Sequence, residues 1–214
     1  PGAARAAVET FRAPRVVAVV AGQQAGLFGG LLYTLLKALT AIQLARQVSA
    51  RHGVPAVAIF WIDSEDHDWA EVASTTVLDA ESRPRDITAE PPAGAGELPV
   101  ARLILDERIA GTLAQLRESL PPTEFTGDLL EGLARAYAPG RTMSEAFGRW
   151  LEAWLGDLGL IVYDCADPAA KPLAAPVFIH ELAHPGRTTA LAAAAGDALV
   201  QRGYHAQGDA HRDA

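Results

Sequence analysis

Val16-Val17-Ala18-Val19-Val20-Ala21-Gly22-Gln23-Gln24-Ala25-Gly26-Leu27-Phe28-Gly29-Gly30 is a valine-rich run that passes into a glycine-rich turn. Its valines suit a strand buried on both faces, as in a parallel sheet, and Gly22 is expected to end it. Downstream, from residue 31 to 48, Leu32, Leu35, Leu36, Leu39 and Ile42 recur at helical spacing. Gly53 and Pro55 close that helix. Residues 56–62 are a second apolar run and read as another buried strand. Strand, glycine-rich loop, helix and strand in this order make a βαβ unit, whose crossover is right-handed in nearly all cases.

The remaining chain is consistent with that start. Residues 72–78 and 100–105 read as strands, separated by a loop holding Pro91, Pro92, Gly94 and Gly96, so a hairpin or insert is expected on the core. Helical patterns cover 107–119, 126–137 and 142–157. A short strand follows at 160–163, then a helix at 169–182 in which Pro172 and Pro176 argue for a break or kink, and a last helix at 188–202. The alternation defines an α/β fold, a doubly wound parallel sheet with helical and hairpin inserts. Residues 1–70 form the first βαβ half, 71–158 the inserted hairpin and helices, and 159–214 the continuation of the core.

Composition narrows the function. Half of the 214 residues are hydrophobic, enough for a substantial core. The net charge of −8 repels a phosphate backbone, so nucleic acid is not an expected partner. Cys165 is the single cysteine, which rules out an intrachain disulfide and a cysteine-based zinc site and fits a reducing cytoplasm. No apolar run reaches the roughly 18 residues that span a bilayer, so no membrane association is expected. The chain begins Pro1-Gly2, its one methionine is Met143, and residues 205–214 are polar. It is expected to be part of a longer protein.

Two segments carry the candidate chemistry. The first is the loop 22–30. Glycines allow tight turning and close ligand approach, and a following helix N-terminus suits an anion. The loop is neither the dinucleotide fingerprint nor a Walker A loop. A purely structural turn is the competing reading, although the adjacent amides of Gln23 and Gln24 offer both donors and acceptors. The second is Trp61-Ile62-Asp63-Ser64-Glu65-Asp66-His67-Asp68-Trp69, with five ionisable groups in the six residues 63–68. Both segments follow strands, and ligands of parallel α/β sheets bind outside the carboxyl ends of the strands, so both should open onto one crevice. His67 suits a base or a substrate ligand, the usual roles of a histidine at such a strand end. Asp66 or Asp68 is placed to orient it, and Glu65 to bind an amine; an acidic loop that caps the next element is the alternative. Tyr33, Thr34 and Lys37 share one side of the helix near its start, where a lysine pairs with an anion or lies solvated.

Two further features are weaker. His180-Glu181-Leu182-Ala183-His184 matches the zincin order His-Glu-x-x-His. Pro185 follows at once, so the helix is expected to end there, and a zinc protease also needs a third ligand. Cys165 reads as a small core residue without an activating neighbour. No metal site is expected.

The loop 22–30, with Leu32-Tyr33-Thr34 and Lys37-Ala38, resembles the Gly-Gln-Gln loop and first helix of the bacillithiol-biosynthesis cysteine-adding enzymes. Phe60-Trp61 followed by Glu65-Asp66-His67-Asp68 resembles their second signature, and residues 159–164 with Asp167-Pro168 a further segment. Gly30-Leu31-Leu32 departs from the pattern, where a proline is common, and so does Asp63-Ser64 before the acidic motif. The resemblance implies a Rossmann-like, nucleotidylyltransferase-like core, cut before the coiled coil through which the longer protein forms a homodimer. It implies a cytoplasmic ligase of thiol biosynthesis that joins the carboxyl of cysteine to the amine of glucosaminyl malate through an activated carboxylate, with ATP as the energy source. On that basis Glu65, Asp66, His67 and Asp68 carry the reaction. Gly22, Gln23, Gln24, Gly26, Gly29, Tyr33, Thr34, Lys37 and Trp61 bind substrate. The competing functions are a nucleotide-dependent transferase acting on another amino acid and a small-molecule binding module without chemistry.

Overall fold

The computed structural model describes residues 2–206; the polar end of the chain lies largely outside the described residues. Among them three parallel strands form the main sheet in the order β1-β2-β5, where β1 is Val17–Gln24, β2 is Ala56–Asp63 and β5 is Leu160–Asp164. Helix α2, Leu32–His52, joins β1 to β2 and completes the βαβ unit read from the sequence. Its C-terminus is set by Gly53, left-handed at φ 64°, whose N–H donates to Ser49 O at 3.0 Å. The helix lays a stripe of small residues on the sheet: Thr34, Ala38, Ala41, Ile42 and Ala45 are buried. Leu32, Leu36, Leu39 and Leu44 are exposed on its outer side.

Two expectations for β1 are corrected. The strand does not stop at Gly22 but pairs with β2 through Gln24, with Gly22 opposite Trp61. Glycine is needed there because a Cβ would lie 2.9 Å from the Trp61 carbonyl oxygen. Nor is β1 buried on both faces: Val20 is 56% exposed. Among the described residues β1 pairs only with β2, and its outer face carries no covering layer comparable to α2. The central strand β2 is the buried one, with Val57, Ala58, Phe60 and Ile62 in the core.

Between β2 and β5 come a short helix α3 (Trp69–Val72), the antiparallel hairpin β3 (Ser74–Leu78) and β4 (Pro84–Thr88), and the helices α4 (Arg108–Ser119), α5 (Thr126–Ala136) and α6 (Met143–Leu155). The expected strand at 100–105 is absent. Val100–Arg102 is a 3-10 turn instead, and only Ile104 makes an isolated bridge, with Thr142. The backbone there bonds elsewhere: Val100 N donates to Asp66 O at 2.8 Å and Ala101 N to Ser64 O at 2.9 Å. The segment therefore holds the acidic loop. Helix α6 starts with a capping box in which Thr142 and Glu145 satisfy each other's backbone N–H. It packs Phe147 against Phe60 with ring centroids 6.1 Å apart, under the sheet. An unanticipated helix α1, Gly2–Phe11, lies against β5 and β2.

The described residues from Asp167 onward form a second compact unit. Its helices are α7 (Lys171–Ala183) and α8 (Arg187–Gln201). Helix α7 shows no break: Pro172 falls in the first turn, where its missing N–H is not needed, and the chain continues through Pro176.

Candidate active site

The carboxyl ends of β1 and β2 open onto a shallow cavity of about 420 Å³ lined by Val20, Ala21, Gly22, Gln23, Gln24, Trp61 and Asp63. A larger cleft of about 780 Å³ lies against α1, beside Arg5, Glu9 and Arg12. The strand-end cavity is the candidate, because polar side chains from β1, α2 and α3 converge beside it. This is where α/β sheets bind ligands.

Lys37, from α2, directs its ammonium back to the strand end. It donates to Gln23 Oε1 at 2.8 Å and to Gly22 O at 3.3 Å, and it stands 4.9 Å from the centroid of the Tyr33 ring. Gln23 Nε2 donates to Gln24 Oε1 at 2.7 Å and to the Tyr33 hydroxyl at 2.8 Å. Gln24 Nε2 in turn donates to Glu71 Oε2 at 3.1 Å. Trp61 presents a part-exposed ring on the open face of the sheet, edge-on to Tyr163 at 4.8 Å. Of the residues singled out in the sequence, Gly22, Gln23, Gln24, Tyr33, Lys37 and Trp61 thus come together.

Gly26 and Gly29 are placed differently. They lie in the buried part of the loop, which turns back on itself through a single 3-10 turn. Gly26 N donates to Gln24 O, Gly29 N to the hydroxyl of Tyr137 at 2.9 Å, and Gly30 N to Leu27 O. These N–H groups are engaged inside the protein and form no open anion nest. What the glycines supply is the course of the chain. A Cβ on Gly26 would lie 2.6 Å from Gly30 Cα, and one on Gly29 would lie 2.6 Å from the Trp150 ring. Thr34 is buried beneath the loop, and its hydroxyl has no hydrogen-bond partner among the described residues.

The acidic loop is organised from within. Asp66 Oδ1 accepts from His67 N at 2.7 Å and from Asp68 N at 3.2 Å. Asp68 Oδ1 caps α3 by accepting from Glu71 N at 3.3 Å. The His67 ring is 72% exposed, with Nδ1 3.6 Å from Asp66. Glu65 is exposed beside them. Ser64, fully buried, bonds through its hydroxyl to Asp164 and so ties the end of β2 to the end of β5. Cys165 is buried there, its sulfur 3.5 Å from Ser64 N.

Three contributors escape a reading of the sequence. Tyr137 donates to Gly26 O at 2.8 Å from a position 111 residues away. Burial drives its phenol far above the ordinary value, against the weaker opposing effect of the Gly29 N–H. Glu71 follows the acidic motif without belonging to it, and Ser64 stood only as a departure from pattern. No local signal marks any of the three.

Among the described residues no group of three or more His, Cys, Asp and Glu side chains is arranged to hold a metal ion. In the second unit α7 ends before His184, whose Nδ1 lies 2.8 Å from His180 O, and Glu181 accepts from Thr188. No helix of the described chain is long and apolar enough to cross a membrane.

Fold and strand ends together define a Rossmann-like α/β protein with a crevice of small-molecule size. The family model for the N-terminal Rossmann-like domain of the bacillithiol biosynthesis protein BshC matches residues 2–214, and the chain belongs to that family. It is 38% identical over 207 residues to a protein of Salinibacter ruber provisionally named cysteine ligase BshC, covering 97% of this chain and 38% of the relative. Proteins of the same name are similar in Chlorobaculum tepidum (37% over 201 residues, 94% of this chain, 36% of the relative) and Geobacillus kaustophilus (33% over 214 residues, 99% and 39%). The chain therefore spans well under half the length of these relatives.

Proposed function

We propose that this chain is the substrate-binding and reacting core of a cytoplasmic ligase that joins the carboxyl of cysteine to the amine of glucosaminyl malate. The observation that carries the reading is the convergence of Lys37, Gln23, Gln24, Tyr33 and Trp61 at the strand-end crevice. The names of the relatives support it. Amide formation from a free carboxylate in water is uphill, so the carboxyl must be activated, and ATP is the proposed co-substrate that does this. The N–H groups of Gly26, Gly29 and Gly30 are engaged internally, so these glycines offer phosphate no cradle. Lys37 is the group suited to a phosphate or carboxylate.

The residues divide the work. Lys37 and the Gln24 amide hold anionic oxygens of the substrate, Gln23 braces them, and Trp61 offers a face to the sugar ring. His67, oriented by Asp66, takes the proton that the attacking amine must lose. Glu65 attracts that amine before it is deprotonated. Asp68 holds the loop by capping α3. Most of the acceleration comes from positioning and from fixed dipoles at the reacting carboxyl.

The test is to incubate the complete protein carrying this chain with cysteine and glucosaminyl malate, with and without ATP, and to detect the amide by mass spectrometry. Product that requires ATP is the expected outcome. A folded protein that makes no product under either condition overturns the ligase reading and favours a binding module or a transferase for another amino acid.

A further inference from the structure

We infer that Glu71 is a positioning residue which, through a one-way hydrogen-bond chain ending at Lys37, turns the Gln24–Tyr33–Lys37 side of the crevice into a donor-rich site for a carboxylate. This rests on the crevice being the substrate site proposed above.

The direction of the chain follows from its two ends. A carboxylate can only accept and an ammonium can only donate. Glu71 therefore obliges Gln24 to present its NH₂ group, at 3.1 Å, and Lys37 obliges Gln23 to present its carbonyl oxygen, at 2.8 Å. The inner link then has one solution: Gln23 Nε2 donates to Gln24 Oε1, at 2.7 Å. Every donor points from Lys37 toward Glu71. Flipping either amide would set oxygen against oxygen or nitrogen against nitrogen. The second Gln23 N–H goes to the Tyr33 oxygen at 2.8 Å, which leaves the Tyr33 hydroxyl hydrogen to point elsewhere.

Counting hydrogens gives the ligand. Lys37 uses one N–H on Gln23 and one on Gly22, and keeps a third. Gln24 uses one N–H on Glu71 and keeps one. Tyr33 keeps its hydroxyl hydrogen. These groups thus have donors left over, while each amide oxygen already accepts one bond. Such a set fits an oxygen-rich anion, and cysteine and glucosaminyl malate both offer it a carboxylate.

The sign of the effect makes the inference testable. Removing a negative charge near an anion site should strengthen anion binding on Coulomb grounds alone. The chain requires the opposite when the acceptor is removed too. In the complete protein, L-malate and its uncharged diamide are titrated calorimetrically into the wild type, Glu71→Met and Glu71→Gln. The wild type is expected to prefer malate. Glu71→Met should weaken malate binding about tenfold, the size of one charge-assisted hydrogen bond, with diamide binding and Tm unchanged. Glu71→Gln keeps an acceptor oxygen and should restore malate binding. Gln24→Met cuts the same chain one link along and also removes a donor, so it should weaken malate binding at least as much as Glu71→Met. Malate binding by Glu71→Met equal to or tighter than wild type overturns the inference, as does a wild type without preference for malate. Amide formation is scored separately: the expected binding pattern in a protein that makes no amide upholds the inference and removes only the ligase reading.

Discussion

The phenol of Tyr137 donates to the carbonyl of Gly26 at 2.8 Å, and in the same place it accepts from the N–H of Gly29 at 2.9 Å. One buried hydroxyl thus closes both ends of the turn that carries β1 into α2. The ring supports the same turn from below, edge-on to Phe28 at 5.2 Å. The helical insert, which brings no residue of the strand-end cavity, is what fixes the loop beside it.

Tyr137→Phe removes both bonds to the phenol, leaves Gly29 N and Gly26 O only their longer bond to each other at 3.3 Å, and should lower stability by about 1–3 kcal/mol. The check is a denaturant titration, with a lower midpoint and an unchanged slope. The same pair gives a pH signature. The folded phenol ionises far above its ordinary value of 10.0, so its stabilisation is complete below that pH and is lost as pH rises beyond it. Wild type should lose stability more steeply than Tyr137→Phe above pH 10; parallel curves would contradict the burial.

Gly29→Ala and Gly26→Ala should both destabilise the loop, but only one has a partial remedy. At Gly29 the new methyl meets the Trp150 ring, and the backbone sits at φ +95°. Overpacking there costs about 1–3 kcal/mol. Trp150→Phe should recover part of it and leave the backbone strain. At Gly26 the obstacle is the Cα of Gly30, so no side-chain truncation helps. Thermal melts of the single and double variants separate the two cases; equal rescue at both sites would be wrong for this packing.

Asp79 anchors the β3–β4 hairpin. The backbone N–H of Arg83, then the Arg85 guanidinium and the N–H of Glu81, hold its carboxyl down to about 2, against the opposing pull of burial. A depressed carboxylate stabilises above its ordinary value of 3.8, and that stability is lost as pH falls toward 2. The stability gap between wild type and Asp79→Asn should therefore be constant near neutrality and shrink through that window. A gap that does not vary with pH would exclude the ionised anchor.

Hydrophobic periodicity made β1, α2 and β2 legible, because each is long and patterned by the face it presents to the sheet. The same rule misled at 100–105. Val100, Leu103 and Leu105 are buried and Ile104 is exposed, which imitates a strand. The backbone, however, divides its bonds: Val100 N and Ala101 N donate to the acidic loop, while Leu103 and Leu105 bond to residues 140–143. Strand β4 left no apolar signal, since Ile87 is its one buried residue and Pro84 opens it. It exists through pairing with β3 and the Asp79 turn. At the crevice, strand-end placement pointed to Gln23, Gln24 and Lys37. The acceptor for Gln24 lies 47 residues on, and the support for the loop lies more than 100 residues away, just past the end of α5. Such partners are chosen by tertiary packing, which spacing along the chain does not encode.

His67→Ala separates the acidic loop's chemistry from its architecture. The ring is exposed, so stability should change by no more than about 0.5 kcal/mol. Loss of a general base should slow amide formation by roughly 10²–10⁴. Turnover assays beside thermal melts check both halves; a variant with full turnover would remove His67 from the reaction.

Lys37→Met tests the crevice itself. The side chain is exposed and supports no core packing, but it supplies the cation at the strand ends. In the complete protein, with cysteine, glucosaminyl malate and ATP, amide formation followed by mass spectrometry should fall by roughly 10² or more while Tm stays at the wild-type value. Wild-type rates in the Lys37→Met protein would place the reaction somewhere other than the ends of β1 and β2.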